Sequence, residues 1–318
     1  MNANEKRKGF TIVELLTVMG VIAILISLLV PALTLVRDYS KEIQQRAQFH
    51  AIDVGLEMYK TEFGSYPPSN DNNDLFDATR NDINDDTPYG GANKLAEAMV
   101  GLDMLGVHPN TDYRSDGMNF HDDGFGSMTV AYDVYHPNAD YSTTEFAETA
   151  EENVQARKGP FIDLENANVY TMRDVYHQDT GSFLAGGGSG NIEDSLVLCD
   201  EYVVKRKSGK KTGMPILYYR ARRVYTQQDS EDTLEIADDI YYYPDNQNLL
   251  ELGMPEDGTD HIISDTTDDY LEFENMIRNT QITQVRRPYR ADSYILISAG
   301  KDGMYGTPDD MFNFDKNE

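Results

Sequence analysis

The hydrophobic pattern divides the chain into two very different parts. From Phe10 to Leu35 apolar residues run almost unbroken, and Glu14 is the only charge among them. At ~1.5 Å per residue this run makes a helix of about 39 Å, enough to cross a hydrocarbon core of ~30 Å with some tilt. From Val36 to about Phe63 the run gives way to a periodic pattern, with apolar residues at Ile43, Ala47, Ala51, Val54 and Met58. Steps of three and four predict that the helix continues as an amphipathic one and buries that face. Gly64 and the pair Pro67-Pro68 then stop it.

The middle of the chain is irregular. Ser69 to Asp86 reads as an Asn/Asp-rich loop. Asp82, Asn84 and Asp86 alternate like the start of an EF-hand loop, but Thr87 and Asn93 stand where that loop requires Gly and Glu, so no such site is predicted. Asn93 to Met104 predicts a short helix burying Leu95, Met99 and Leu102. Thr111 to Gly126 reads as loop and Thr143 to Val154 as a short helix. Phe183 to Asn191, with three consecutive glycines, reads as a flexible connection.

Strand-like runs return at Leu196–Arg206 and Pro215–Tyr225, joined as a hairpin with Ser208-Gly209 at its tip, and at Ser293–Ser298. The fold class is therefore α+β.

Glu14 changes the picture most. A carboxylate at the centre of a membrane helix costs roughly 2.5–3.5 kcal/mol, so a chain that keeps one there is expected to supply a partner. The flank Lys6-Arg7-Lys8 belongs on the cytoplasmic side and sends the rest outward. A secretory signal peptide fits poorly, because the run is long and no small-residue cleavage site follows Pro31. A plain membrane anchor leaves Glu14 without a purpose. Pro31 removes a backbone donor, which predicts a kink or a loosened turn.

These residues carry a resemblance. Lys6-Arg7-Lys8-Gly9-Phe10-Thr11-Ile12-Val13-Glu14 is similar to the N-terminus of type IV pilins and type II secretion pseudopilins, which have a basic leader, a Gly, usually a Phe, and a Glu four residues beyond it. Pro31 falls where many members also carry a proline. Tyr59-Lys60, Gly64 and Tyr66-Pro67 resemble the helix end of major pseudopilins. The resemblance implies cleavage after Gly9 by a prepilin peptidase, N-methylation of Phe10, and pairing of Glu14 with the new amino terminus of a neighbouring subunit in a helical filament. It further implies the pilin architecture, a long helix with antiparallel strands packed on its outer half. The organisation expected is a leader over 1–9, a transmembrane half-helix over 10–35, an amphipathic half over 36–66, a large insertion over 67–195 and a sheet region over 196–318.

A net charge of −28 argues against general affinity for nucleic acid and suits an acidic, well-solvated extracytoplasmic domain. Cys199 is the only cysteine, so no intrachain disulfide forms, and its place beside Leu196-Val197-Leu198 predicts a small core residue. The six histidines show no paired metal-ligand spacing, and neither a nucleophile elbow nor a phosphate-binding loop occurs, so no enzymatic activity is expected.

The second specific motif is Ser298-Ala299-Gly300-Lys301-Asp302-Gly303-Met304-Tyr305-Gly306-Thr307-Pro308-Asp309-Asp310, directly after a strand. Glycines permit tight, carbonyl-inward folding, and hard carboxylate oxygens around such a loop suit Ca²⁺. The stretch resembles the calcium loop of major type II pseudopilins, which implies Asp302, Asp309 and Asp310 as side-chain ligands. Taken together these features predict a pseudopilin of a type II secretion apparatus. It would sit in the inner membrane with its globular domain in the periplasm, and assemble with itself and other pseudopilins on an inner-membrane platform.

The alternative is a type IV pilus or minor pilin subunit with an adhesive or DNA-binding role. For that, Lys205, Arg206, Lys207, Lys210 and Lys211, with Arg220, Arg222 and Arg223, offer a basic cluster. In so acidic a chain a contact with acidic neighbouring subunits is the preferred role for this cluster, and no nucleic-acid partner is expected.

Overall fold

A computed structural model describes residues 11–69, 89–115, 117–122, 128–135, 150–165, 167–176, 192–228, 239–264 and 269–316. The leader with Gly9 and Phe10, the Asn/Asp-rich loop with Asp82, Asn84 and Asp86, and the triple glycine of the expected flexible connection lie outside them. The chain divides into two compact units, residues 1–45 and 46–318. One long helix, α1 (Ile12–Phe63), begins in the first and ends in the second, and it is unbroken at Pro31. The carbonyl of Pro31 accepts the Thr34 hydroxyl at 2.7 Å.

In the first unit every described residue from 11 to 37 is exposed. The helix is long and apolar enough to cross a membrane, and its most apolar window has no buried residue. Among the described residues none covers this apolar stretch, and an apolar helix of this length suits a membrane span.

The second unit is built on the last part of α1, and here the amphipathic prediction is corrected. The face that packs inward carries Gln48, Phe49, Ile52, Leu56 and Tyr59, whereas Ala47, Ala51, Val54 and Met58 are exposed. Both sets recur at steps of three and four, so periodicity finds two apolar faces and does not say which one the domain uses. Bulk decides: the buried set holds two rings and two branched aliphatics, while the exposed set has two alanines. Gly55 on the inward side lets the chain at Phe161 approach, since a Cβ there would lie 2.9 Å from the Phe161 carbonyl oxygen. The helix ends at Gly64, whose N–H donates to the Lys60 carbonyl at 2.8 Å.

The central sheet pairs β7 (Leu217–Arg220) with β8 (Tyr294–Ser298) and β8 with β9 (Met311–Phe312), all antiparallel. All five residues of β8 are buried, as a continuous apolar run predicts for a strand covered on both faces. The sheet is tied to α1 by the Tyr294 hydroxyl, which donates to Asp53 Oδ1 at 2.6 Å. Around it lie α2 (Gly91–Val100), the hairpin β1 (Met118–Asp122) with β2 (Met128–Asp133), α3 (Ala150–Ala156), and β3 (Val169–Thr171) paired with β4 (Leu196–Leu198).

Several local expectations change. The predicted Asn93–Met104 helix is α2, which stops at Gly101 and leaves Leu102 only partly buried. Strand β1 occupies part of the stretch read as loop. The hairpin around Ser208-Gly209 exists as the short pair β5 (Val204–Lys205) and β6 (Lys211–Thr212), with an isolated antiparallel bridge between Cys199 and Pro215 further from the tip. The long run after it pairs with β8 instead, a nonlocal register that no turn signal encodes.

Cys199 is fully buried, and its carbonyl accepts from Gln48 Nε2 at 2.8 Å. Glu97 is also fully buried, with Tyr89, Thr111 and Tyr135 hydroxyls donating to its carboxylate. Burial nonetheless holds that carboxyl above the usual range. Asp200 links β8 to the segment before β7: it accepts from the Ser298 hydroxyl at 2.9 Å and from the Met214 N–H at 3.1 Å.

Candidate functional sites at the helix start and the C-terminal loop

The first site is the start of α1. Thr11 and Glu14 form a reciprocal cap. The Thr11 N–H and hydroxyl donate to Glu14 Oε2 at 2.9 and 2.8 Å, and the Glu14 N–H donates to Thr11 Oγ1 at 3.2 Å. A Thr-x-x-Glu box satisfies two otherwise orphaned helix-start donors and places a negative charge at the positive end of the helix dipole. Glu14 Oε2 is therefore engaged within the subunit, while the side chain remains on an exposed face.

The second site is the turn from β8 to β9. Gly300 has φ +67, and a Cβ there would stand 2.3 Å from the Asp309 carbonyl oxygen, so the two ends of the loop meet only because this residue has no side chain. Asp309 Oδ2 accepts the N–H groups of Lys301 and Asp302 at 2.8 and 3.1 Å, and its Oδ1 accepts the Thr307 hydroxyl at 2.5 Å. Asp302 Oδ1 accepts the Met304 N–H at 2.8 Å, and Asp310 Oδ2 the Gly306 N–H at 2.8 Å. Tyr305 is fully buried beneath the loop, and its N–H donates to His261 Nδ1 at 3.3 Å.

Three carboxylates crowd this turn, and their environments differ. Burial, aided by Asp309, holds the Asp302 carboxyl above the usual range. Burial also pushes Asp309 up, but the Thr307 hydroxyl and the two backbone N–H groups outweigh it and hold Asp309 below. Burial pushes Asp310 up to about 8. Its Oδ1 is buried with no hydrogen-bond partner. As the side chains are placed, the described residues contain no group of three or more His, Cys, Asp or Glu set to hold a metal ion. The loop thus brings the three aspartates into one turn, with Asp302 and Asp309 facing each other and Asp310 Oδ1 buried without a hydrogen-bond donor.

Residues 5–30 match the prokaryotic N-terminal methylation motif. Over this segment the chain is similar to proteins that carry that motif. Over 70 residues the chain is 33% identical to the type II secretion system core protein G of Escherichia coli (strain K12), covering 22% of this chain and 48% of that protein. It thus spans about half the length of the curated relative it matches. No solved structure matches it.

The sequence singles out Glu14 and the three aspartates but not their closest partners. Thr11 was legible as the first residue of a Thr-x-x-Glu box. Tyr305 and His261 were not, because the contact joins segments 44 residues apart in the chain.

Proposed function

We propose that this pilin-like chain is a structural subunit that polymerises into a periplasmic pseudopilus for type II protein secretion. The observation that carries the reading is Glu14, a charge inside an exposed apolar helix that begins within a prokaryotic N-terminal methylation motif. Cleavage after Gly9 by a prepilin peptidase, followed by methylation of Phe10, creates a terminal amine for which Glu14 of a neighbour is the natural counter-ion. In a low-dielectric interior such a pair is worth far more than in water, so it supplies register as well as attraction. The likeness to core protein G supports the secretion role over an adhesive pilus. The apolar helix and the basic flank support an inner-membrane location for the first unit and a periplasmic one for the second.

Two substitutions test the reading. Glu14→Ala leaves cleavage and membrane insertion intact and removes the subunit from filaments. Gly9→Val leaves the chain at its unprocessed size, and a shortened product from that variant contradicts the cleavage site.

Calcium at the C-terminal turn is part of the same proposal. Asp302, Asp309 and Asp310 are the residues that would hold it, with hard oxygen donors of the kind Ca²⁺ selects. The unpartnered buried Oδ1 of Asp310 and the facing Asp302 and Asp309 carboxylates support it. Bound there, the ion supplies positive charge that relieves repulsion among the three and fixes the loop. Thermal unfolding with calcium and with chelator is expected to show a calcium-dependent rise in midpoint that Asp302→Ala abolishes. Identical midpoints in the two conditions reject the site.

The nucleic-acid alternative loses ground within the hairpin itself. Arg206 is buried, with its guanidinium on Glu256, Thr212 and the Gly213 carbonyl, so the basic run presents fewer cations than its sequence suggests.

A further inference from the structure

Tyr305, in the middle of the C-terminal turn, is fixed at its backbone and at its ring. Its N–H donates to His261 Nδ1 at 3.3 Å, its ring meets the imidazole edge to face at 4.8 Å, and its hydroxyl donates to the Pro215 carbonyl. Both residues are fully buried. Burial lowers the imidazole pKa to about 4, so near neutral pH the ring is uncharged and one of its nitrogens accepts.

The segment that carries His261 is braced in its turn. The Ser264 N–H donates to the His261 carbonyl at 2.9 Å, which closes the single helical turn Ile262–Ser264. The Tyr243 hydroxyl holds that turn to the core by donating to the Ile263 carbonyl at 2.7 Å. Ile263 lies directly on the residue after Tyr305: a Cβ on Gly306 would stand 2.6 Å from Ile263 Cγ2 and 2.9 Å from its backbone nitrogen. Gly306 in turn gives its N–H to Asp310 Oδ2 at 2.8 Å, while Asp310 Oδ1 is buried with no hydrogen-bond partner. The other two aspartates are oriented by groups of the turn itself, the N–H groups of Lys301, Asp302 and Met304 and the Thr307 hydroxyl. Asp310 differs, because the N–H that aims it belongs to a backbone held from outside the turn.

We infer that His261 is a positioning residue of the calcium turn: by fixing the Tyr305–Gly306 backbone it aims the Asp310 carboxylate at the ion. The inference rests on the calcium reading above and adds to it a residue that acts on the site without touching the ion. His261 Nδ1 is occupied by the Tyr305 N–H, so the imidazole acts through the backbone and not as a ligand. Groups that orient a metal ligand from outside typically cost ~10–100-fold in metal affinity when removed. The specific defect is a Tyr305 N–H left buried without an acceptor. Asparagine carries a side-chain oxygen close to the place of Nδ1, whereas leucine fills similar space and accepts nothing.

Calcium calorimetry on the full-length chain in detergent at pH 7.5, at a temperature where each variant is folded, tests it. His261→Leu is expected to bind calcium about tenfold more weakly than the parent, and His261→Asn to stay within about threefold of it. Should His261→Leu not fold, His261→Gln, whose oxygen lies beyond the place of Nδ1, replaces it with the same expectation. Leu56→Ala, destabilised in the core of α1, keeps the parental affinity and so separates positioning from a general loss of stability. Parental affinity in His261→Leu, or equal weakening in His261→Asn or Leu56→Ala, overturns the role of His261 and leaves the calcium site standing. No calcium binding by the parent overturns the calcium reading and this inference with it.

Discussion

Leu56 and Met58 lie two residues apart on α1 and face opposite ways, so replacing each by alanine tests which face the domain buries. Leu56 is fully buried and Met58 is 51% exposed. Truncating a buried leucine removes its transfer free energy and leaves a cavity, for roughly 2–5 kcal/mol. That is a large share of a typical domain stability of ~5–15 kcal/mol. Truncating an exposed methionine away from caps and networks changes stability by about 0.5 kcal/mol or less. The assay is denaturant unfolding of the full chain in detergent, followed by its tyrosine signal; the chain has 21 tyrosines and no tryptophan. Leu56→Ala is expected to lower the unfolding midpoint strongly, and Met58→Ala to leave it in place. A Met58→Ala chain destabilised by more than ~2 kcal/mol, or a Leu56→Ala chain as stable as the parent, refutes the assignment of the two faces.

Gly300→Ala forces a side chain into a φ of +67 and against the Asp309 carbonyl. A destabilisation of ~1–3 kcal/mol is expected, with loss of any calcium-dependent midpoint shift, and an unchanged melt counts against the loop geometry. His261 gives a pH signature. Burial lowers its pKa from 6.5 to about 4, so the folded chain keeps it neutral while the unfolded chain protonates it below pH 6.5. Its contribution is complete above pH 6.5 and lost as pH falls through about 4. At ~1.4 kcal/mol for each factor of ten in proton affinity, the total is on the order of 3 kcal/mol. Urea midpoints at pH 7.5 and 4.5 should therefore diverge more in the parent than in His261→Gln, and equal divergence removes His261 from the acid limb.

What the sequence discloses here follows the range of each signal. Gly64, the Ser208-Gly209 turn and the apolar run before Ser298 are local, and the structure has a helix end, a hairpin and a buried strand there. The buried face of α1 was misassigned because the helix is apolar on two sides and the smaller residues kept the more regular spacing. Pairing of Leu217–Arg220 with β8 was hidden because register between distant strands is set by packing. At the sites, the charge pattern exposed Glu14 and the aspartates, but the supporting contacts of Tyr305, His261 and Asp200 are made across the core and leave no motif.

The central claim is that Glu14 serves assembly. Its most direct measurement is the amount of processed, membrane-inserted Glu14→Ala chain recovered in sheared filaments beside the parent. The account predicts normal processing and insertion with near-total loss from the filament fraction. Glu14→Ala filaments in parental amount would contradict it.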